Sequence, residues 1–185
     1  MRWCSNERKI VQRRRRKTVK KNKTRLVVFC GLLTATAYVL GYVESLIPFS
    51  LGVAGIKVGL ANIVSLFALS YLGPVCAISV LLARIVLSAI TYSGMSAMVY
   101  SLAGGLLSFL VMYLLSLTHR FSTTGLGIAG GVAHNIGQLI MASLMLGRAI
   151  TAYLPVLLTA GALAGLLVGL AAGAMDRHFP KKYFS

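Results

Sequence analysis

Long apolar segments alternate with short polar or Pro/Gly-rich breaks along most of the chain. Six segments can be delimited, at residues 26–47, 58–72, 74–92, 97–117, 126–147 and 152–175. A hydrocarbon core about 30 Å thick requires roughly 20 apolar residues per helix, and only the second segment is clearly short. Membrane proteins tolerate a short helix when its neighbours bury its ends. The pattern predicts an all-α, polytopic membrane protein with six transmembrane helices.

Composition supports this prediction and divides the chain into three parts. Hydrophobic residues make up 57% of the chain and charged residues 12%, whereas soluble domains carry about 25% charged residues. Of the 19 Lys and Arg residues, 12 lie in residues 1–25. We expect a basic, disordered N-terminal tail over residues 1–25, a six-helix transmembrane domain over 26–176, and a short basic C-terminal tail over 177–185.

The basic residues also predict the orientation in the membrane. Cytoplasmic segments carry an excess of Lys and Arg. With six spans and the N-terminus inside, the cytoplasmic basic residues are those of the tail, Arg120, and the C-terminal Arg177, Lys181 and Lys182. They account for 16 of the 19 basic residues. The sequence therefore predicts a multi-pass protein of the cell membrane with both termini in the cytoplasm.

The basic run from Arg13 to Arg25 admits two interpretations. Such runs bind nucleic acids in some proteins. However, no aromatic residue is interleaved in this run, and an apolar span follows it directly. We therefore interpret it as an anchor attracted to the anionic headgroups of the lipid bilayer, and we expect no nucleic-acid partner.

Two stripes of small residues predict close helix packing. Small side chains let helix backbones approach each other in lipid. One stripe lies in the first segment and the other in the last. Each stripe either packs inside the monomer or docks against another membrane subunit. Their residues are Thr34, Ala37, Gly41 and Ser45, and Gly161, Gly165, Gly169 and Gly173.

The strongest candidates for a binding site are polar residues at membrane depth. Arg84 lies ten residues into the third segment, roughly 15 Å from the inner boundary. His134, Asn135 and Gln138 lie at about 12 to 18 Å in the fifth segment, at spacings that predict one shared helical face. Ionisable groups in a bilayer normally face a protein interior or cavity. These residues either line a substrate pocket or form interhelical hydrogen bonds that fix the bundle.

A second group of polar residues is predicted near the outer face. Glu44 ends the first segment, Lys57 lies 13 residues later across a Pro/Gly-rich loop, and Asn62 follows in the second segment. A pair between Glu44 and Lys57 would neutralise both charges. The three residues either hold the loop in place or contact substrate.

The motifs of several enzyme classes are missing from the sequence. The sequence contains three acidic residues and no HExxH, CxxC, GxSxG or Walker A motif. Hard cations such as Mg²⁺ require several oxygen ligands. Cys4, Cys30 and Cys76 have no spacing typical of a disulfide framework or a zinc site. We expect no catalytic residues, no metal site, no cofactor and no enzymatic activity of this chain alone.

Four separated motifs resemble the Gx transporter family, which is also named heptaprenyl diphosphate synthase component I. They are LGYVESLIPF at residues 40–49, GIKVGLANI at 55–63, YSLAGGLLS at 100–108 and GVAHNIGQ at 131–138. The resemblance covers residues 24–176. It implies a six-helix fold similar to the substrate-binding S components of energy-coupling-factor transporters. Such components dock on a transmembrane coupling subunit that is driven by two cytoplasmic ATPases.

The resemblance implies two alternative functions. The favoured one is a substrate-binding or permease subunit for a small molecule, with a positively charged pocket that suits an anionic or isoprenoid-related substrate. In this case Thr34, Ala37, Gly41 and Ser45 would dock on the coupling subunit. The alternative is a non-catalytic membrane subunit of a heptaprenyl diphosphate synthase, whose partner would be a soluble, aspartate-rich synthase subunit.

Overall fold

The computed structural model describes the backbone of residues 3–46, 59–147, 152 and 154–178, and the side chains of residues 24–46, 59–147, 152 and 154–174. All regular structure within these ranges is helical, which confirms the predicted all-α class. The helices are α1 (Trp3–Leu46), α2 (Asn62–Tyr71), α3 (Pro74–Ser88), a π-helical turn (Ala89–Ser93), α4 (Gly94–Leu117), α5 (Thr123–Leu146) and α6 (Leu154–His178).

The basic tail is helical in the structure from Trp3 onward. Helix α1 begins at Trp3 and continues without a break into the first apolar segment. Residues 3–25 contain no Gly or Pro, and Arg, Lys and Gln are good helix formers. Because an apolar helix follows directly, the tail can extend that helix and needs no separate nucleation step.

Among the described residues, four apolar helical segments are long enough to cross a membrane. They are Thr24–Leu46, Pro74–Leu117, Thr123–Leu146 and Leu154–Ala174. With mean hydropathies between 1.2 and 2.1 in these segments, the chain is a membrane protein. The number of crossings depends on how the 44 residues of Pro74–Leu117 are folded and on the 10-residue helix α2.

The long segment Pro74–Leu117 folds back on itself at Gly94. A straight helix would separate residues 85 and 105 by about 30 Å. Instead, a methyl group on Gly105 would lie 3.3 Å from the side chain of Ile85. Gly94 has φ of +76°, a conformation that glycine adopts at little steric cost. Helices α3 and α4 therefore lie side by side.

Helix α2 occupies the centre of the bundle. Seven of its ten residues are buried, as expected for a helix that other helices surround. Its Leu66, Ala68 and Leu69 belong to one core cluster with Ala77, Met112, Leu126, Val168 and Ala172 from the other helices. Ala61 and Val64 join a second cluster with Ala37 and Val80. This position explains why a helix of only ten residues is stable here.

The glycine stripe of α6 packs inside the protein, against α5. A methyl group on Gly165 would lie 2.5 Å from the carbonyl oxygen of Gly127, and one on Gly169 would lie 2.6 Å from Cα of Thr124. Gly161 packs against Gly131 in the same way, whereas a methyl group on Gly173 would have only the Thr124 hydroxyl nearby, at 3.8 Å. Three of the four glycines are therefore used for packing within the monomer.

The stripe on α1 is divided between the interior and the exposed surface. Ala37 is fully buried, and a methyl group on Gly41 would lie 2.9 Å from the Tyr92 hydroxyl. Thr34 is partly buried and its hydroxyl donates to the carbonyl of Cys30. Ser45 is exposed. The central residues of this stripe thus face the α3 side of the bundle, so they do not form a free surface.

Cys30 and Cys76 form a disulfide that the sequence did not predict. Their Cα atoms are 6.0 Å apart and their sulfur atoms are bonded. Spacing along the chain carried no signal, because the pairing depends on α1 and α3 lying side by side at this level.

Candidate functional site

A small polar cavity lies where α1, α3 and α5 meet. It encloses about 20 Å³, room for roughly one water molecule. Together with its open mouth the recess contains about 370 Å³ of empty space. The charged and polar side chains in its lining are Tyr38, Glu44, Arg84, Ser88, Tyr92, Ser101 and His134. Ionisable side chains from three helices therefore converge at membrane depth.

Glu44 fastens the segment before α2 to the end of α1. One carboxylate oxygen accepts the backbone N–H of Gly59 at 2.5 Å and the other accepts that of Leu60 at 3.2 Å. Glu44 is 8% exposed. Its predicted partner Lys57 lies outside the described residues. The predicted role of Glu44 in holding the loop therefore has a structural basis in these two backbone contacts.

Replacing Glu44 by alanine is expected to destabilise the protein by about 2–4 kcal/mol. The substitution removes two charge-assisted hydrogen bonds and leaves the N–H of Gly59 buried without an acceptor. Glu44→Gln should lose less, because an amide oxygen still accepts one of the bonds. Unfolding by SDS in mixed micelles measures this. Ser45→Ala is the matched control, since the Ser45 hydroxyl is exposed and bonds the Tyr42 carbonyl of its own helix. Equal stabilities for Glu44→Ala and Ser45→Ala would contradict this role.

Arg84 extends from α3 toward α2 and the cavity. Its Nη2 donates to Oδ1 of Asn62 at 3.0 Å. Its Nε is buried and makes no hydrogen bond within the described residues. A buried N–H donor without an acceptor is costly. Arg84 is therefore held in place by Asn62 and retains capacity for one further acceptor.

The three polar residues of α5 that the sequence analysis singled out face three different parts of the structure. His134 lines the cavity. Asn135 donates to the carbonyl of Leu157 on α6 at 2.7 Å. The Cγ of Gln138 lies within 2.8 Å of where a methyl group on Gly104 of α4 would be, and this side chain is fully buried. Of the trio, only His134 faces the cavity, and the other two lie at interfaces with α6 and α4.

Tyrosines form one wall of the cavity. Tyr92 packs edge-on against both Tyr38 and Tyr42, with ring centroids 5.6 Å and 5.4 Å away. The hydroxyl groups of Tyr38 and Thr91 are hydrogen-bonded at 3.1 Å. Edge-on aromatic pairs contribute about 0.5–1.5 kcal/mol beyond burial. This wall therefore links α1 to the π-helical turn and gives the cavity an aromatic side.

The chain matches one known protein family. A family model described as heptaprenyl diphosphate synthase component I matches residues 33–175. The chain belongs to the heptaprenyl diphosphate synthase component I family. No curated protein and no solved structure matches it. The component I match covers every residue that lines the cavity and excludes the basic tail.

Sequence reasoning missed several lining residues of this component I chain, although helical spacing held a signal for most of them. Ser88 and Tyr92 follow Arg84 at successive intervals of four, and Tyr38, Gly41 and Glu44 follow one another at intervals of three. Residues at such intervals share a helical face. Ser101 had no such signal, because its place in the cavity depends on the fold-back of α4 at Gly94.

Proposed function

We propose that this component I protein is a membrane-embedded substrate-binding subunit of a small-molecule transporter. The observation that supports it is the cavity lined by Glu44, Arg84 and His134. Ionisable residues at membrane depth are expensive and typically mark substrate or ion pathways. A purely structural bundle has no need of an arginine whose Nε is buried without an acceptor among the residues that the structure describes.

The proposal includes six membrane spans with both termini in the cytoplasm. The fold-back at Gly94 supports two separate passes for α3 and α4. Helix α2 would be a further, short pass that the other helices surround, and it brings the number of passes to six. A cysteine introduced at Arg120, in the exposed turn between α4 and α5, should react with a membrane-impermeant thiol reagent only from the inside. Labelling from the outside would refute this topology.

Mass spectrometry of the full chain, purified gently from its native membrane, tests the binding function. We expect one small molecule to be retained per protein. Within the described residues, the cavity in its present form admits little more than a water molecule. A bound molecule would therefore have to widen the cavity or leave most of its body in the mouth. Protein that carries no ligand, and that mediates no uptake in vesicles, would refute the proposal.

The family match favours a second candidate function. In this alternative the chain is a non-catalytic membrane subunit of a heptaprenyl diphosphate synthase, whose catalytic subunit is soluble. Affinity capture of the full chain distinguishes the two functions. A transmembrane coupling subunit with a pair of ATPases supports the transporter. A soluble, aspartate-rich prenyl diphosphate synthase whose activity requires this chain supports the alternative.

A further inference from the structure

The two charges that line the cavity compensate each other. The sequence predicted a positively charged pocket around Arg84, with Glu44 at the outer face. In the structure, Glu44 and Arg84, which carry opposite formal charges, line the same cavity. When histidine is counted as neutral, the formal charge of the described lining residues is zero. A ligand with a net charge would leave that charge uncompensated in a medium of low dielectric constant.

Of the two charged side chains, Arg84 has more hydrogen-bonding groups left for a ligand. Both carboxylate oxygens of Glu44 accept backbone N–H groups. Arg84 uses Nη2 for Asn62, whereas its Nε has no acceptor within the described residues. Guanidinium N–H groups only donate hydrogen bonds. The cavity therefore requires an acceptor atom on its occupant, and this acceptor does not have to be charged.

The remaining walls favour a flat, apolar body next to that acceptor. Tyr38 and Tyr92 present aromatic surface, and aromatic rings pack well against such surface. The enclosed part has room for one small functional group, and the cavity is partly open, so the rest of the molecule would lie outside the enclosed part. A ring whose carbonyl group enters the enclosed part fits this arrangement.

We propose that the cavity takes an uncharged, carbonyl-bearing planar group of a small molecule, whose oxygen accepts a hydrogen bond from Arg84. This inference rests on the proposed binding function and names the chemical class of its ligand. It replaces the anionic substrate that the sequence suggested. A diphosphate is excluded from this class, because it would bring several negative charges to a cavity that has one compensated cation.

Benzamide and benzoate test the inference, because they share a ring and a carbonyl carbon but differ by one negative charge. The full chain in detergent micelles is titrated with each compound at neutral pH, and binding is followed by ligand-observed NMR. The same titration of Arg84→Met measures partitioning into micelles and is subtracted. We expect Arg84-dependent binding of benzamide that is on the order of tenfold or more tighter than that of benzoate.

The variant Glu44→Gln gives a second, independent readout. The glutamine side chain retains an oxygen that can accept the N–H of Gly59, but it removes the negative charge. The cavity of this variant would carry an uncompensated Arg84. Its preference should therefore shift toward benzoate by about tenfold relative to the wild type. A merely structural role of Glu44 would weaken the binding of both compounds equally.

Each remaining outcome overturns the inference in a recognisable way. Tighter, Arg84-dependent binding of benzoate to the wild type would overturn the charge inference and leave the binding function intact. An unchanged preference in Glu44→Gln would show that Glu44 does not set the charge of the site. Absence of Arg84-dependent binding by both compounds would refute the ligand class. The proposed function would then be decided separately by the retained-ligand mass spectrum.

Discussion

Replacing Gly165 by alanine is expected to disrupt the packing of α6 on α5. The added methyl group would lie 2.5 Å from the carbonyl oxygen of Gly127 and 2.8 Å from Cα of Ile128. Both neighbours are backbone atoms, so no rotamer change can relieve the contact and the two helices must separate. Overpacking of this kind costs about 1–3 kcal/mol, and more where backbone cannot yield. SDS unfolding in mixed micelles measures the loss.

Gly31→Ala is the matched control for this substitution. Gly31 also lies inside a helix, but nothing comes within 4 Å of where its methyl group would be. Alanine favours the helix over glycine by up to about 1 kcal/mol, so this variant should be as stable as the wild type or more so. If Gly165→Ala were equally well tolerated, the close approach of α5 and α6 would be wrong.

Replacing Arg84 by alanine is expected to abolish ligand retention. Hydrogen bonds to charged groups contribute about 1.5–3 kcal/mol, which corresponds to a loss of roughly 10- to 150-fold in affinity. The substitution also leaves Glu44 as the only charge in the described lining. The mass spectrum of the gently purified variant shows whether the small molecule is still bound, and circular dichroism shows whether the variant is folded.

Arg120→Ala controls for the removal of one positive charge from the chain. Arg120 is exposed in the turn between α4 and α5, so its loss should leave retention unchanged. Arg84→Lys adds a conservative variant that keeps the charge but not the planar set of donors, and it should retain ligand weakly. A folded Arg84→Ala protein that keeps its ligand would show that the cavity is not the binding site.

The helices could be predicted from the sequence because a bilayer imposes a strong local pattern. The predicted segments 58–72 and 126–147 correspond to α2 (Asn62–Tyr71) and α5 (Thr123–Leu146), within a few residues at each end. Runs of apolar residues and the Gly73-Pro74 pair carry this information locally. The sequence analysis did not predict the extension of α1 to Trp3. A run of basic residues indicates that the side chains are solvated, but it does not determine whether the backbone is helical.

The candidate site was only partly predictable, because side-chain direction depends on which neighbour each helix meets. Asn135 and Gln138 are three residues apart and were expected to face one pocket. However, α5 is packed on two sides, so Asn135 reaches α6 and Gln138 lies against α4. Glu44 and Arg84 were both expected to bind substrate, but the sequence held no direct signal that they line the same cavity. Their separation of 40 residues says nothing about distance until α1 and α3 are known to be adjacent.

The shortness of α2 has an electrostatic consequence for the cavity. At about 1.5 Å per residue, ten residues cover only half of a 30 Å hydrocarbon core. The N-terminus of α2 therefore lies within the bundle, and it has no side-chain cap of its own. A helix N-terminus carries about half a positive charge. Glu44 sits at this end as a resident counter-ion, so an incoming anion would compete with a carboxylate that the protein already supplies.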